Sequence, residues 1–143
     1  MGDFENLKFE EVPESLPKKS RNFSKISYTS QSGWAGIVWQ HPINDWGDSP
    51  GGFDLSGAKE LSFWAKGQKG GEKITFGIGI IGKEKPYHDS TKQSLELILS
   101  SKWVKYQIDL TEEDLTRIKS PFYFSTAANG QLLAFYLNEV VIK

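Results

Sequence analysis

The chain of 143 residues contains no cysteine, so it has neither disulfides nor cysteine-based zinc sites nor thiol redox chemistry. It also lacks an apolar run near the roughly 18 consecutive residues that a membrane span needs. Charge of one sign is not in excess, since 17 Lys and Arg face 18 Asp and Glu, for a formal net charge of −1. No net field therefore draws the chain to nucleic acid or to an anionic membrane, and we expect neither as a partner.

The length predicts a single domain over residues 1–143, large enough to form a core without disulfides or metal. Aromatic residues are abundant, with five Trp, five Tyr and nine Phe, while Met occurs once and Gly fourteen times. This composition favours strands and turns over helices. The first residues resemble no signal peptide, and we expect any such peptide to lie outside this stretch.

Alternating apolar and polar residues predict strands along most of the chain. The clearest case is 73–81, where Ile74, Phe76 and Ile78 share one face while Gly77 and Gly79 lie on the other. About nine strands are predicted, near 7–12, 25–30, 36–40, 60–65, 73–81, 95–99, 104–110, 122–124 and 133–142. Nine short strands that each bury one face predict an all-β fold, a two-sheet antiparallel β-sandwich of the jelly-roll type, with a closed barrel as the alternative.

The connections between these strands carry turn signals. The glycines of 67–71 predict a hairpin connection, and Asn129-Gly130 predicts a tight turn. Thr111 followed by three acidic residues is typical of a helix start, so one helical turn is predicted before Pro121. Two longer loops, 40–59 and 82–93, have no strand pattern, and loops of that length are usually functional or disordered. Because 40–59 contains several apolar residues, we expect this loop to be ordered, and we expect the two loops to meet at one edge of the sandwich.

Flat aromatic and hydrogen-bonding side chains occur together near the first long loop. Aromatic rings can stack on the apolar face of a pyranose, while amides and carboxylates bind its hydroxyl groups. The residues predicted to bind a ligand are Trp34, Trp39, Gln40, Asn44, Trp46, Tyr87, His88 and Asp89. Each tryptophan could equally fill the core, and Trp39 is the most doubtful because it shares strand parity with Ile37. The bare face at Gly77 and Gly79 could admit a ligand or an overlying side chain such as Trp64.

Nothing in the sequence predicts catalysis. His88-Asp89 lacks a second titratable partner at a meaningful spacing, and no nucleophile motif is present. Glu112 and Glu113 are explained by capping the predicted turn, so they do not indicate a glycosidase pair. Two histidines, His41 and His88, are too few for a zinc site. The protein is therefore expected not to be an enzyme.

Several segments resemble one family. They are 33–40 (GWAGIVWQ), 44–48 (NDWGD), 50–59 (PGGFDLSGAK), 63–67 (FWAKG) and 135–139 (FYLNE). Together they resemble bacterial non-catalytic jelly-roll domains similar to carbohydrate-binding modules of the galactose-binding-like fold. The resemblance implies a secreted or cell-surface module, excised from a larger glycan-active protein, that holds a polysaccharide such as β-glucan by stacking and hydrogen bonding. The alternative is a structural β-sandwich that mediates protein–protein or interdomain contacts.

The resemblance also raises the question of calcium, which related modules often bind between their first and last strands. Their last strand usually has two aspartates where this chain has Asn138 and Glu139. A neutral amide is a poorer ligand for a hard cation, so no cofactor is expected beyond a weak structural calcium. The other oxygen-bearing residues near those strands are Asp3, Glu5 and Glu10. The family's usual Phe-x-Trp is Phe122-Tyr123-Phe124 here, which removes one tryptophan.

Overall fold

The computed structural model describes residues 1–13 and 22–143. These residues form one short 3-10 helix, η1 (Phe4–Asn6), and nine strands. The strands are β1 (Leu7–Pro13), β2 (Asn22–Tyr28), β3 (Trp34–Trp39), β4 (Glu60–Gly67), β5 (Lys73–Ile78), β6 (Gln93–Ile98), β7 (Val104–Asp109), β8 (Phe122–Ala127) and β9 (Leu133–Ile142). No helix in the described ranges is long and apolar enough to cross a membrane.

The strands form two antiparallel sheets. One has five strands in the order β1-β2-β9-β4-β7, and the other has four in the order β3-β8-β5-β6. This arrangement confirms the predicted two-sheet β-sandwich rather than the barrel. A bridge between Gly2 and Ala35 continues the pairing on the free edge of β3.

Aromatic rings from both sheets form the centre of the core. Phe63 on β4 packs on Phe76 on β5 with 4.5 Å between ring centroids, and Phe124 on β8 meets Phe135 on β9 edge-on at 5.3 Å. All four rings are fully buried. Alternate residues of a strand point to opposite faces, so the residues between these core positions lie on the outer faces of the two sheets.

Two of the predicted connections are wrong. The segment 67–71 does not join paired strands, because β4 and β5 lie in different sheets and the segment crosses from one sheet to the other. Residues 111–114 form a hydrogen-bonded turn rather than a helical one, with Glu113 N donating to Leu110 O at 3.1 Å. The predicted turn at Asn129-Gly130 is confirmed, with Gln131 N donating to Asn129 Oδ1 at 3.0 Å.

Candidate ligand-binding surface

A row of small and polar residues crosses the outer face of the four-stranded sheet. In the strand register, Gly36 lies opposite Ser125, Ser125 opposite Thr75, and Thr75 opposite Glu96. Directly paired residues of antiparallel strands point to the same side of the sheet, so these four form a row across all four strands. Adjacent strands lie about 4.8 Å apart, which gives the row a length of about 14 Å.

A groove of about 430 Å³, which we name the sheet groove, lies along this row. Trp34 stands in the groove wall with 49% of its surface exposed. The rest of the lining is mixed polar and apolar, and its two charged side chains are paired, with Lys73 Nζ 3.3 Å from Glu96 Oε1. Its polar lining residues are Lys73, Thr75, Glu96, Ser125, Thr126 and Asn129. A single paired carboxylate does not provide the two carboxylates that glycoside hydrolysis needs.

Tyr123 fills the bare patch that the sequence predicted at Gly77. A Cβ built on Gly77 would lie 2.6 Å from Cζ and from the hydroxyl oxygen of Tyr123, so the ring lies directly over this glycine. The overlying side chain is therefore Tyr123 and not Trp64, which belongs to β4 in the other sheet. Burial raises the pKa of the Tyr123 hydroxyl, and a hydrogen bond with Ser94 partly opposes that rise.

Three of the predicted ligand-binding residues, Gln40, Asn44 and Trp46, come together in a second cavity of about 290 Å³, which we name the edge pocket. This pocket lies beside β3, whose Val38 also lines it. Trp46 is 40% exposed. Gln40 Nε2 donates to the backbone carbonyl of Asp45 at 3.0 Å, which ties the loop to the end of β3.

Trp39 lies on the other side of β3. Its ring packs against Phe122 and Phe124 of β8 and against Phe9 of β1. With Pro121, Phe122, Val140 and Ile142 it lines an apolar cavity of about 370 Å³. Trp39 is therefore separated by its strand from both the sheet groove and the edge pocket, and we leave it out of the proposed site.

The two long loops meet, as the sequence predicted. Tyr87 N donates to Gly47 O at 2.9 Å, and Lys85 Nζ lies 3.1 Å from Asp48 Oδ1. His88 is partly buried, and its Nδ1 donates to the backbone carbonyl of Asp89 at 2.8 Å. Tyr87 and His88 thus contribute to the junction of the loops, and neither lines the sheet groove or the edge pocket.

Asp89 is buried, with 5% of its surface exposed. Its carboxylate accepts four hydrogen bonds, from Ile81 N, Lys119 N, Ser120 N and Ser120 Oγ. No oxygen of this carboxylate is left for a ligand. Asp89, a predicted ligand-binding residue, thus joins three segments of the chain.

The proposed calcium ligands of the first and last strands do not converge. β2 lies between β1 and β9, so Glu10 pairs with Lys25, which in turn pairs with Tyr136. Asn138 Oδ1 accepts a hydrogen bond from Glu139 N at 2.9 Å. Within residues 1–13 and 22–143, no three His, Asp or Glu side chains lie together in a way that could hold a metal ion.

Sequence reasoning missed the polar lining of the sheet groove. The alternation of 73–81 predicts Thr75 on the same outer face as Gly77 and Gly79, but nothing in the sequence shows that β8 and β6 flank β5. Only this pairing, Thr75 with Ser125 and with Glu96, turns separate polar positions into one surface. A single strand pattern reports which face a residue occupies and not its neighbour across the sheet.

Solved structures of carbohydrate-binding modules share this fold. The family 11 module of the cellulosomal cellulase Lic26A-Cel5E of Clostridium thermocellum is 20% identical, with a TM-score of 0.64 over 99% of this chain and 84% of that one. The family 30 module of the cellulosomal cellulase Cel9D-Cel44B of Clostridium thermocellum is 15% identical, with a TM-score of 0.63 over 96% and 86%. TmCBM61, solved with β-1,4-galactotriose, is 15% identical, with a TM-score of 0.54 over 100% and 85%.

No protein-family model and no curated protein matches the chain. The chain is thus similar to these modules in fold, and the sequence resemblance to jelly-roll modules is confirmed at that level.

Proposed function

We propose that this protein is a non-catalytic glycan-binding module and that the sheet groove holds the glycan. The observation that carries the proposal is the groove itself, a channel on an exposed sheet face that combines hydrogen-bonding side chains with a half-exposed tryptophan in its wall. The Trp34 ring provides a stacking surface for a pyranose. Hydroxyl, amide and paired charged groups along the groove provide hydrogen-bond donors and acceptors for the sugar rim.

The edge pocket extends this surface along β3. Trp34 and Val38 lie four residues apart on the outer side of the strand, which corresponds to about 13 Å. A linear glycan that contacts Trp34 at one end could reach Trp46 and Asn44 at the other. The groove has one aromatic stacking surface, Trp34, rather than a row of them. Stacking on Trp34 and hydrogen bonds to the sugar therefore both contribute to the binding affinity.

The fold neighbours support a β-linked ligand. One structure of the family 11 module contains a β-1,3-1,4-mixed-linked tetrasaccharide. That module is 21% identical to this chain, and an identity this low shows a shared fold alone. We propose β-glucan as the first ligand to test and β-1,4-galactan as the second. Because neighbours belong to cellulosomal cellulases, we also propose an extracellular or cell-surface location within a larger glycan-active protein.

The test is a glycan array followed by calorimetric titration of the best ligand. Trp34→Ala removes the platform and is expected to weaken binding about fivefold, equivalent to about 1 kcal/mol. Trp64→Ala, on the five-stranded sheet, is the matched control and should bind as the unaltered protein does. Equal binding by all three proteins would remove Trp34 from the site, and no binding to any glycan would overturn the proposal.

No glycan should be hydrolysed, because the sheet groove contains a single carboxylate, Glu96, paired with Lys73. Reducing-end assays on the same glycans measure this directly. Turnover that disappears in Glu96→Gln would show that the protein is an enzyme.

A second function is favoured by one observation, the apolar surface around Trp39. Phe9, Trp39 and Val140 are each between 38% and 40% exposed. An exposed apolar patch is typical of a surface that contacts protein. Under this alternative the sandwich is a structural module, and Trp39→Ser would weaken a domain or subunit contact, measured by sedimentation, while glycan binding is absent.

A further inference from the structure

Lys119 is buried completely, an uncommon position for a lysine. Its ammonium group donates to Asp45 Oδ2 and to the backbone carbonyl of Ser49, and it lies 5.7 Å from the centre of the Tyr87 ring. An ammonium has three N–H donors, and here two meet oxygen acceptors while the third can face the ring. The buried charge is thus fully partnered, and every partner belongs to one of the two long loops.

The first loop wraps around this side chain. Its ends are fixed by backbone hydrogen bonds to the segment that carries Lys119, with His41 N donating to Lys119 O at 2.9 Å and Phe53 N donating to Ile118 O at 2.8 Å. A Cβ built on Gly52 would lie 3.0 Å from Lys119 Cγ, so the alkyl stem passes close to the loop backbone. The ends of the loop therefore do not need the ammonium, whereas its middle is held by it.

Asp45 connects the ammonium group of Lys119 to the backbone in the middle of the loop. Besides the ammonium, its carboxylate accepts hydrogen bonds from Gly47 N at 3.2 Å and from Ser49 N at 3.0 Å. The residues on either side of Asp45 are Asn44 and Trp46, which line the edge pocket. The conformation at Asn44 is left-handed, with φ of 60°, so this short turn is not one that the chain adopts by default.

We propose that Lys119 is a positioning residue for ligand binding, whose buried ammonium fixes Asp45 and so presents Asn44 and Trp46 to the glycan. This inference rests on the proposed function. Without the ammonium, the Asp45 carboxylate, whose side chain is 9% exposed, would be left without its counter-charge. A buried charge without a partner is strongly unfavourable, so the loop would open to hydrate it.

The first test measures the loop without any ligand. In Lys119→Met, the amides of Gly47 and Ser49 should exchange hydrogen at least tenfold faster, because local opening exposes them. The amides of His41 and Phe53 should keep their protection, since backbone carbonyls hold them. Lys85→Met is the matched control, because it removes an exposed lysine that pairs with Asp48 of the same loop. It should leave all four amides unchanged.

A second variant keeps the test decisive if Lys119→Met does not fold. The double variant Lys119→Met with Asp45→Asn removes both charges, so no unpaired charge remains in the interior. We expect it to fold, with Gly47 and Ser49 still less protected than in the unaltered protein. Native protection of these two amides in either folded variant would overturn the proposal.

The second test separates positioning from general stability by a double-mutant cycle on glycan affinity. If Lys119 acts through Asn44 and Trp46, combining Lys119→Met with Trp46→Ala should weaken binding by less than the product of the two separate losses, with Trp46→Ala alone costing about fivefold. Combining Lys119→Met with Trp34→Ala should instead multiply the two losses. Multiplied losses in both pairs would overturn the positioning role. If the unaltered protein binds no glycan, the proposed function fails, while amide exchange still decides whether Lys119 holds the loop.

Discussion

Replacing Asp89 by asparagine should destabilise the fold without acting on a ligand. In Asp89→Asn, the amide oxygen can keep the hydrogen bonds from Lys119 N and Ser120 N. The amide nitrogen then stands where Oδ2 accepted from Ile81 N, so two donors face each other. An unsatisfied buried donor costs about 1–3 kcal/mol, and the loss of charge from the remaining bonds adds about 1 kcal/mol. We expect the free energy of unfolding to fall by about 2–4 kcal/mol.

For a chain of this length, a loss of that size lowers the melting temperature by about 8–16 °C. Calorimetry and urea unfolding measure it, with Asp48→Asn as the control, since Asp48 is exposed in its ion pair with Lys85. An exposed pair contributes at most about 1 kcal/mol. Glycan affinity, measured well below the melting temperature, should be unchanged in Asp89→Asn. Weaker binding at native stability would refute the structural role and restore Asp89 to the ligand site.

Three further outcomes are expected. Gly77→Ala should lower the free energy of unfolding by about 1–3 kcal/mol, because the added methyl group overpacks against Tyr123. Urea unfolding measures this loss. Thr75→Ala on the same face is the control, and an equal loss there would contradict overpacking as the cause. Hydrogen bonds lower the pKa of five carboxyls in the folded protein, those of Asp3, Asp45, Asp54, Asp109 and Asp114. The ionised forms of these carboxyls stabilise the folded protein at a pH above their unfolded pKa. The free energy of unfolding should therefore decrease as the pH falls from about 5 towards 2, and a free energy that does not change over this range would contradict the prediction. Excess chelator and millimolar calcium should give melting temperatures within a few degrees of each other, whereas a shift of about ten degrees or more would indicate a tight site.

The raised pKa of Tyr123 bears on stability at the opposite end of the pH range. Because the folded protein keeps this phenol protonated above its ordinary pKa near 10, the hydroxyl contributes stability that is lost as the pH rises through the folded value. Because the Tyr123 ring is buried against Gly77, it is not exposed for stacking on a ligand.

Strand alternation predicted the core well and the site poorly, for one physical reason. Alternation depends on each strand alone, so the inward positions of β5, Ile74, Phe76 and Ile78, could be predicted and are fully buried. The site depends on pairing between strands and on loops held by buried polar groups. Asp89 and Lys119 are charged residues in the chain, and charged residues are usually placed in solvent. Their burial follows from partners up to 74 positions away, which no local pattern reveals.

The three tryptophans of the first long segment show how far local reasoning can be taken. Trp34 and Trp39 are separated by five positions in one continuous strand, and residues an odd number apart point to opposite faces. Trp34 and Trp39 therefore cannot share one surface of the sheet, and no single stacking site on the sheet can include both. This follows from β3 beginning at Trp34 instead of Gly36. The alternation rule does not apply to Trp46, because it lies in the loop after β3. We infer that its position depends on Asp45 and the buried ammonium group of Lys119. The proposed ligand surface therefore depends on strand parity at Trp34 and on a buried charge next to Trp46.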